Sequence, residues 1–271
     1  MKYDLHVHST WSDGQKNISE LCAKAVECGL SGFALTDHDT IEGWTEIEKA
    51  YADTGIRIIP GVELSTEEEG TNVHILGYGM KDIPLIEGKL KIYADARVER
   101  IRKMVAKCND VGLDITFDEV KENAGSGTIG RPHVANVLLK HGYVSYFKEA
   151  FEKYLNRGMP CYEPRLKLDS VSAVNMIKQS GGYAVLAHPG LDDAWRFIDL
   201  LAEHNLDGVE VYHSSHDFDQ RQSFLAEAKR LKLAVTAGSD YHGIEYDRRF
   251  MGSEYLEEED LPFFIKELLQ K

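Results

Sequence analysis

Six short segments, far apart in the chain, carry histidine and carboxylate side chains, which are the usual ligands of divalent metal ions in enzymes. A mixed set of imidazoles and carboxylates leaves coordination positions open for water and substrate, as in catalytic sites. The set therefore predicts a multinuclear metal hydrolase. The segments are His6-Val7-His8 with Asp13, Thr36-Asp37-His38-Asp39, Glu63, His74, Ala187-His188-Pro189 and Ser239-Asp240-Tyr241-His242.

The spacing inside these segments suits strands that present ligands to one ion. Residues two apart on a strand point to the same face, so His6 and His8 can hold an ion between them. Asp240 and His242 repeat this spacing near the end of the sequence. A single histidine at a strand end is more often a hydrogen-bonded structural residue than a ligand. Several such segments together favour ligation.

Most of the ligand segments end or follow an apolar run, and these runs alternate with helical patterns. This βα alternation predicts a parallel sheet covered by helices. About seven such units can close into a barrel whose active site forms at the carboxyl ends of the strands. We predict strands over residues 3–7, 32–36, 57–64, 72–78, 183–187, 208–211 and 234–237, and helices over 18–28, 41–54, 170–179, 194–204, 218–231 and 261–269.

The two halves of this pattern are separated by a segment with helical patterns only, over residues 86–108, 117–123, 132–141 and 145–155. We therefore expect a metal-binding barrel built from residues 1–80 and 168–271, and an inserted helical arm over 81–167 that binds substrate. The arm has 16 basic and 12 acidic residues, and the remainder has 15 basic and 33 acidic ones. Positive charge is concentrated in the arm.

Composition excludes several classes of protein. The formal net charge of −14 argues against electrostatic capture of long duplex nucleic acid. No apolar stretch approaches the roughly 18 residues of a membrane span, and Met1 leads directly into the first ligand segment. We therefore expect a cytoplasmic protein without membrane association.

The order of the segments resembles the polymerase and histidinol phosphatase (PHP) family, whose members carry HxH, TDH, GVE, AHP and SDxH segments. All five are present in this chain, at residues 6–8, 36–38, 61–63, 187–189 and 239–242. Within the family, residues 73–78, 130–133 and 154–158 are similar to stand-alone nucleotide phosphoesterases close to the TrpH group. The resemblance covers nearly the whole chain and implies an α/β fold, a distorted (β/α)7 barrel with an inserted helical subdomain.

The same resemblance implies a ligand set for three ions. Glu63 would bridge two of them, which agrees with its chemistry, because a carboxylate offers two oxygens where an imidazole offers one usable nitrogen. Asp13 also fits a turn, since it lies in Ser12-Asp13-Gly14. The implied sets are His6, His8, Glu63 and Asp240 for one ion, Glu63, His74 and His188 for a second, and Asp13, His38 and His242 for a third.

Other residues near these segments have two interpretations each. Asp37 and Asp39 flank His38 and could orient ligands or cap the following helix, and we favour the orienting role. His213 and His216 follow the strand over 208–211. They could donate a proton to the leaving oxygen, or they could be exposed loop histidines.

In the helical arm, the resemblance implies that Arg131 and His133 meet a phosphate of the substrate, and Arg157 lies in a third matching stretch. Arginine suits this role because its planar fork matches two phosphate oxygens. A basic cluster over 97–103 adds further charge on one helix. For that cluster we favour a solvated helix face, since acidic neighbours invite pairing along the helix.

The resemblance implies a phosphoesterase that hydrolyses phosphate esters of nucleotides, either 3′,5′-bisphosphates or the 5′-phosphorylated ends of short oligonucleotides, as an exonuclease does. Two or three divalent ions, manganese, iron or zinc, would supply a bridging hydroxide, because a bound ion lowers the pKa of water from 15.7 to about 7. Two alternatives remain open. One is a phosphatase for a small metabolite such as histidinol phosphate, and the other is a non-catalytic metal-binding module.

Overall fold

The computed structural model describes residues 1–125, 129–243 and 250–270. The chain divides into two compact units. The barrel unit comprises Met1–Lys89 and Lys167–Lys271, and the helical unit comprises Leu90–Leu166. In the described part of the chain, all strands belong to the barrel unit.

The barrel unit is built on one sheet in which each strand pairs with a neighbour in the sequence, apart from the short last strand, which pairs with the first. The strands are β1 (Lys2–Val7), β2 (Gly32–Leu35), β3 (Arg57–Glu68), β4 (Thr71–Tyr78), β5 (Tyr183–Leu186), β6 (Gly208–His213), β7 (Ala234–Gly238) and β8 (Leu256–Glu257). Their order is β7-β6-β5-β4-β3-β2-β1-β8.

Hydrogen bonds beyond the ends of β1 and β7 bring the two sides of this sheet together. The Asp240 N–H donates to the His6 carbonyl at 3.0 Å, and the His8 N–H donates to the Tyr241 carbonyl at 2.9 Å. The sheet is therefore nearly closed, which confirms the predicted distorted barrel. The ligand-bearing ends of β1 and β7 are joined directly as a result.

Among the strands predicted from the sequence and described in the structure, β4 alone departs from the parallel arrangement; the short β8, which was not predicted, also pairs antiparallel, with β1. β4 pairs antiparallel with both β3 and β5, whereas β1, β2 and β3 are parallel, as are β5, β6 and β7. The cause is a two-residue turn at Glu69 and Gly70, which have φ values of 48° and 86°. Positive φ at both central positions suits a hairpin, so β3 returns directly as β4 without an intervening helix.

Helices cover the barrel between its parallel strands. Asn17 and Glu20 cap the first of them reciprocally, and its apolar face, which includes Leu21 and Cys22, is buried. In the described residues, no helix has the length and apolar character needed to cross a membrane. The helices of this unit are α1 (Ile18–Glu27), α2 (Ile47–Thr54), the start of α3 (Ile83–Asp110), α7 (Ser170–Gln179), α8 (Ile198–Glu203), α9 (Phe218–Leu231) and α10 (Phe263–Leu269).

The helical unit has its own apolar core, in which Met104 and Cys108 of α3 pack with Val134 and Leu138. One predicted helix differs in form. Residues 145–155 form only a short α-helix from Phe147, continued by a π-helical turn. The elements are the rest of α3, α4 (Phe117–Ala124), α5 (Arg131–Lys140), α6 (Phe147–Ala150) and the π-helical turn Phe151–Leu155.

Candidate metal centre

The structure brings all nine predicted metal ligands into one cluster inside the barrel unit. The ends of four parallel strands supply most of them, and the hairpin of β3 and β4 supplies two. They are His6 on β1, His8 and Asp13 after β1, His38 after β2, Glu63 on β3, His74 on β4, His188 after β5, and Asp240 and His242 after β7.

The first group surrounds one point with four buried side chains. The Nε2 atoms of His6 and His8 each lie 3.2 Å from Oε2 of Glu63. Oδ1 of Asp240 lies 3.5 Å from Nε2 of His6 and 3.2 Å from Nε2 of His8. One ligand atom from each of the four lies within 4.8 Å of the others, so the group could hold an ion.

The second group uses the other oxygen of Glu63. Nδ1 of His74 lies 2.8 Å from Oε1 of Glu63, and Nε2 of His188 lies 2.9 Å from the same oxygen. His38 also faces the carboxylate, with Nδ1 3.2 Å from Oε2. The two oxygens of Glu63 thus face different sets of imidazoles, which is the arrangement a bridging carboxylate needs.

The third group lies around Asp13. Its Oδ1 is 3.3 Å from Nε2 of His242, and its Oδ2 is 4.0 Å from Nε2 of His38. His8 joins this group as well, since its Nδ1 lies 3.9 Å from Asp13. His8 therefore lies between the first and third groups.

Several of these atoms are buried without a hydrogen-bond partner. In the described chain, Nε2 of His6, both ring nitrogens of His8, Oε2 of Glu63 and Nδ1 of His188 make no hydrogen bond. Leaving a buried polar group unsatisfied costs about 1–3 kcal/mol, more when it is charged. Cations satisfy such nitrogen and oxygen atoms, so the residues present fit divalent metal ions.

Burial and neighbouring charges shift the pKa values of two histidines of the cluster in opposite directions. Burial opposes a charge on His8, but the carboxylates of Asp240 and Glu63, each with an oxygen 3.2 Å from its Nε2, overcome this effect and raise the pKa of His8 to about 10. Burial lowers the pKa of His38 to about 4 in spite of the nearby Glu63. Burial also disfavours charge on Glu63, yet the fields of His38 and His6 hold its pKa well below the usual range. The central carboxylate is ionised and ready to bind cations.

The cluster opens into a cleft of about 210 Å³. Six ligands line it, and the exposed Asn72 and Asp192, hydrogen-bonded at 3.1 Å, lie beside them. The cleft thus gives a small substrate access to the ligands. The lining residues are His38, Glu63, Asn72, His74, His188, Leu191, Asp192, Asp240 and His242.

Three residues at the centre hold strained backbones. His188, Asp240 and Asp39 have φ values of 24°, 55° and 54°, in the left-handed region that side chains other than glycine rarely adopt. Such strain persists where the surrounding structure enforces it, and it is common at functional sites. Two of the three are themselves predicted ligands.

Asp37 and Asp39 support the centre, as favoured from the sequence. Asp37 accepts hydrogen bonds from the Ser9 N–H at 2.7 Å and from the Ser12 hydroxyl at 2.6 Å. It thereby fixes the loop that carries Asp13. Asp39 accepts from the Ser65 N–H at 2.9 Å, so none of these three bonds caps a helix.

Glu210 is a supporting residue that the sequence analysis missed. It is fully buried on β6, where its Oε1 lies 3.1 Å from Nδ1 of His6 and its Oε2 accepts from the His188 N–H at 2.8 Å. A carboxylate on the far nitrogen fixes the tautomer of a ligating histidine and leaves Nε2 for the ion. The available signal was a glutamate within the otherwise apolar run Gly208-Val209-Glu210-Val211.

We expect the Glu210→Gln substitution to weaken metal binding about 10- to 100-fold, the usual effect of losing such an outer partner. Glutamine keeps the size of the side chain, but its neutral amide cannot stabilise the His6 ligand equally. Competition with a chromogenic chelator would measure the affinity.

Thr236→Val provides a matched control for this test. Thr236 pairs with Glu210 across β6 and β7, is buried, and its hydroxyl makes no hydrogen bond in the described structure. It should keep the metal affinity of the parent protein. An unchanged affinity in Glu210→Gln would refute the supporting role.

The structure corrects the interpretation of His216. Both predicted proton donors are buried, so the exposed-loop alternative is wrong. The Nδ1 of His216 donates to the Val211 carbonyl at 2.9 Å, and its Nε2 accepts from the Gly190 N–H at 3.1 Å. Burial lowers its pKa to about 4. Because both nitrogens are engaged with the backbone, this geometry contradicts a proton-donor role for His216.

His213 lies closer to the ligands. It is the last residue of β6, and its Nδ1 accepts from the Ser215 N–H at 3.2 Å, which leaves the proton on Nε2. That Nε2 lies 3.7 Å from Oδ2 of Asp240. The Nε2–H of His213 therefore faces the carboxylate of the predicted ligand Asp240.

The three predicted substrate-binding residues all belong to the helical unit. Arg131 begins α5, and its Nη1 lies 3.5 Å from the Leu155 carbonyl. The Nδ1 of His133 accepts a hydrogen bond from the Gly130 N–H at 2.9 Å and so caps α5. Its Nε2 takes no part in this cap. Burial lowers the pKa of His133. Arg157 is exposed in the turn after the π-helical segment. The structure does not bring these three residues together in one described contact.

Comparison with known proteins agrees with a metal centre, because the proteins similar to this chain include hydrolases of phosphate esters. The family model described as "PHP domain" matches residues 4–250. A 5′-3′ exoribonuclease of Haemophilus influenzae is 36% identical over 248 residues, covering 89% of this chain and 90% of its own. A 3′,5′-nucleoside bisphosphate phosphatase of Chromobacterium violaceum is 34% identical over 267 residues, covering 96% and 92%.

A solved structure from Bifidobacterium adolescentis shares the fold. It is described as a candidate metal-dependent phosphoesterase and superposes with a TM-score of 0.80 at 28% sequence identity. The match covers 99% of this chain and 95% of that one. The likeness therefore extends over both compact units.

Proposed function

Because the chain belongs to the PHP domain family, we propose that it is a metal-dependent phosphoesterase that hydrolyses phosphate esters of nucleotides. The observation that carries this proposal is the central position of the buried Glu63, whose two oxygens face separate sets of imidazoles. A purely structural role for these side chains does not account for the buried nitrogen and oxygen atoms that lack hydrogen bonds, whereas bound cations do.

The residues of the centre would hold two or three divalent ions, with manganese, iron and zinc all compatible with the ligands. Bound ions would neutralise phosphate oxygens and lower the pKa of water, which supplies hydrolytic chemistry. The protein's own part is to position the ligands. Glu210 keeps the proton of His6 on Nδ1, and burial keeps His38 neutral, because its pKa is only about 4.

We propose that the substrate is a nucleotide with two phosphates, or the 5′-phosphorylated end of a short oligonucleotide. The names of two relatives support this class, one a nucleoside bisphosphate phosphatase and the other an exoribonuclease. The surplus of basic residues in the helical arm supports it too. In this proposal, Arg131 binds a phosphate that is not hydrolysed.

A phosphate-release screen with defined metals tests the proposal. Adenosine 3′,5′-bisphosphate and a 5′-phosphorylated trinucleotide should be hydrolysed far faster than histidinol phosphate or an aryl phosphate. A preference for histidinol phosphate would favour the small-metabolite alternative. The absence of any turnover with every metal tried would favour a non-catalytic binding module.

We expect Arg131→Ala to discriminate between substrates. A hydrogen bond to a charged group contributes roughly 1.5–3 kcal/mol, so kcat/KM for a bisphosphate should fall about 10- to 100-fold. The loss for an aryl phosphate should be at least about ten-fold smaller, since that ester has no second phosphate. Steady-state kinetics with both substrates give the comparison, and equal losses would mean that Arg131 supports the fold instead.

A further inference from the structure

Three residues that are not predicted ligands line the cleft beside the metal centre. They are Asn72, Leu191 and Asp192. The amide of Asn72 donates a hydrogen bond to Oδ2 of Asp192 at 3.1 Å. Among the residues that the structure describes, the Asp192 carboxylate makes no ion pair and no other hydrogen bond. Its Oδ1 is therefore available to a ligand in the cleft.

The loop that carries Asp192 is tied to the barrel on both sides of this residue. It starts at the predicted ligand His188, whose carbonyl accepts a hydrogen bond from the Leu191 N–H at 2.9 Å. Further along the loop, the guanidinium of Arg196 donates to the Thr71 hydroxyl at 2.6 Å, which ties the loop to the start of β4. A side chain held in this way loses little freedom when it binds a ligand.

The size of the cleft limits which part of a nucleotide can lie next to Asp192. Its volume of about 210 Å³ is smaller than the roughly 300–1,000 Å³ of pockets that enclose a whole drug-sized ligand. A phosphate at the metal centre and the sugar attached to it would fill this space, so the base would lie outside it. The lining residues that are not ligands would therefore contact the sugar.

The chemistry of a carboxylate decides which group of the sugar it contacts. A carboxylate repels phosphate oxygens and only accepts hydrogen bonds, so its partner must be a neutral donor. In a nucleoside 3′,5′-bisphosphate, the 2′-hydroxyl is the one sugar hydroxyl that is not esterified. The same holds for the first nucleotide of a 5′-phosphorylated oligoribonucleotide. The 2′-hydroxyl is also the group that distinguishes ribonucleotides from deoxyribonucleotides.

We infer that Asp192, held by Asn72, accepts a hydrogen bond from the 2′-hydroxyl of the substrate and makes the centre selective for ribonucleotides. The inference rests on the proposed function for the identity of the substrate. Leu191 is the apolar member of the set and can pack against the carbons of the sugar ring. Sites that bury such a bond reject the analogue that lacks the hydroxyl by roughly 10⁴-fold or more. Because Asp192 is exposed, water replaces part of the lost bond, and the preference should be smaller.

Phosphate release from manganese-loaded protein tests this selectivity. The values of kcat/KM for adenosine 3′,5′-bisphosphate and for its 2′-deoxy analogue would be compared in the parent protein and in Asp192→Gly. We expect the parent protein to prefer the ribonucleotide by about 10- to 100-fold, as for a hydrogen bond to a charged group. In Asp192→Gly the preference should fall to within about two-fold of unity. Loss of the negative charge acts on both substrates alike and cancels in this ratio.

Asp193→Gly is the matched control in the same loop. Asp192 and Asp193 are both exposed and have similar φ values of 51° and 58°, but Asp193 does not line the cleft. Glycine adopts positive φ readily, so neither substitution strains the loop. Asp193→Gly removes the same charge and should keep the full preference for the ribonucleotide. Asp192→Asn retains an accepting oxygen without the charge and should show an intermediate preference, and it also serves if Asp192→Gly fails to fold.

A second pair of substrates distinguishes the sugar from the base as the donor. Uridine 3′,5′-bisphosphate carries no amino group on its base, and we expect the same preference over its 2′-deoxy analogue. If Asp192→Gly changed the preference for adenine over uracil and left the ribonucleotide preference intact, the carboxylate would contact the base and the inference would fall. Equal kcat/KM for the ribonucleotide and the deoxyribonucleotide in the parent protein would overturn it as well.

Binding separates this inference from the proposed function. If the manganese-loaded protein released no phosphate from any nucleotide, the same pairs could be titrated calorimetrically without interference from hydrolysis. A ribonucleotide preference in affinity that disappears in Asp192→Gly and persists in Asp193→Gly would keep the sugar contact and refute the phosphoesterase. Binding without preference, or no binding of either nucleotide, would refute both.

Discussion

Replacing Glu63 with alanine is expected to abolish phosphate release and to remove bound metal at the same time. Its Oε2 lies 3.2 Å from three imidazole nitrogens, and its Oε1 lies within 2.9 Å of two others. Loss of an outer partner of a ligand costs about 10- to 100-fold in metal affinity, so loss of the shared ligand should cost more than about 100-fold. Elemental analysis and turnover of the purified variant measure both effects.

Glu68→Gln is a suitable control on the same strand. Glu68 accepts hydrogen bonds from Ser170 at the start of α7, and glutamine retains an accepting oxygen. This variant should keep its metal and most of its activity. Full metal occupancy together with undiminished turnover in Glu63→Ala would eliminate the central role given to this carboxylate.

The clustering of the predicted ligands could be foreseen from the sequence because their positions follow from simple geometry. His6 on β1 and His8 directly after it alternate with the apolar Leu5 and Val7, and the ends of parallel strands meet on one side of a barrel. The segments Ala187-His188-Pro189 and Ser239-Asp240 follow apolar runs of the same kind. Position relative to a strand end was therefore enough to place these side chains near one another.

Glu210 could not be assigned in the same way. Its role depends on which side chain lies across the barrel, and sequence spacing carries no information about a partner 204 residues away. The same holds for His216, whose bonds to the backbone of Val211 and Gly190 depend on the path of two loops. Partner contacts between distant segments are fixed by tertiary packing.

The direction of β4 was missed for a local reason. The apolar pattern of a strand is the same in either direction, and only the connecting turn decides it. Glu69 and Gly70 form that turn, but glutamate is uncommon at positive φ, so the signal was weak. The antiparallel hairpin is nevertheless what places His74 opposite Ser65, two residues from Glu63.

Removal of metal ions is expected to abolish activity while the fold persists. The barrel core is apolar and separate from the ligands, with Tyr3, Leu5 and Phe264 buried in one cluster. Chelation should therefore leave the circular dichroism spectrum nearly unchanged. Added manganese, iron or zinc should restore phosphate release.

The pH dependence of metal binding to the ion-free protein follows from the pKa of His8. With a pKa of about 10 in the ion-free protein, His8 carries a proton at neutral pH, and an entering ion must displace it. Apparent metal affinity should therefore rise with pH up to about 10, by roughly ten-fold per unit for each proton displaced. Affinity that is flat between pH 6 and 9 would contradict ligation by His8. Undiminished phosphate release from protein shown by elemental analysis to be metal-free would sink the proposed chemistry, because that chemistry takes its hydroxide from water bound to an ion.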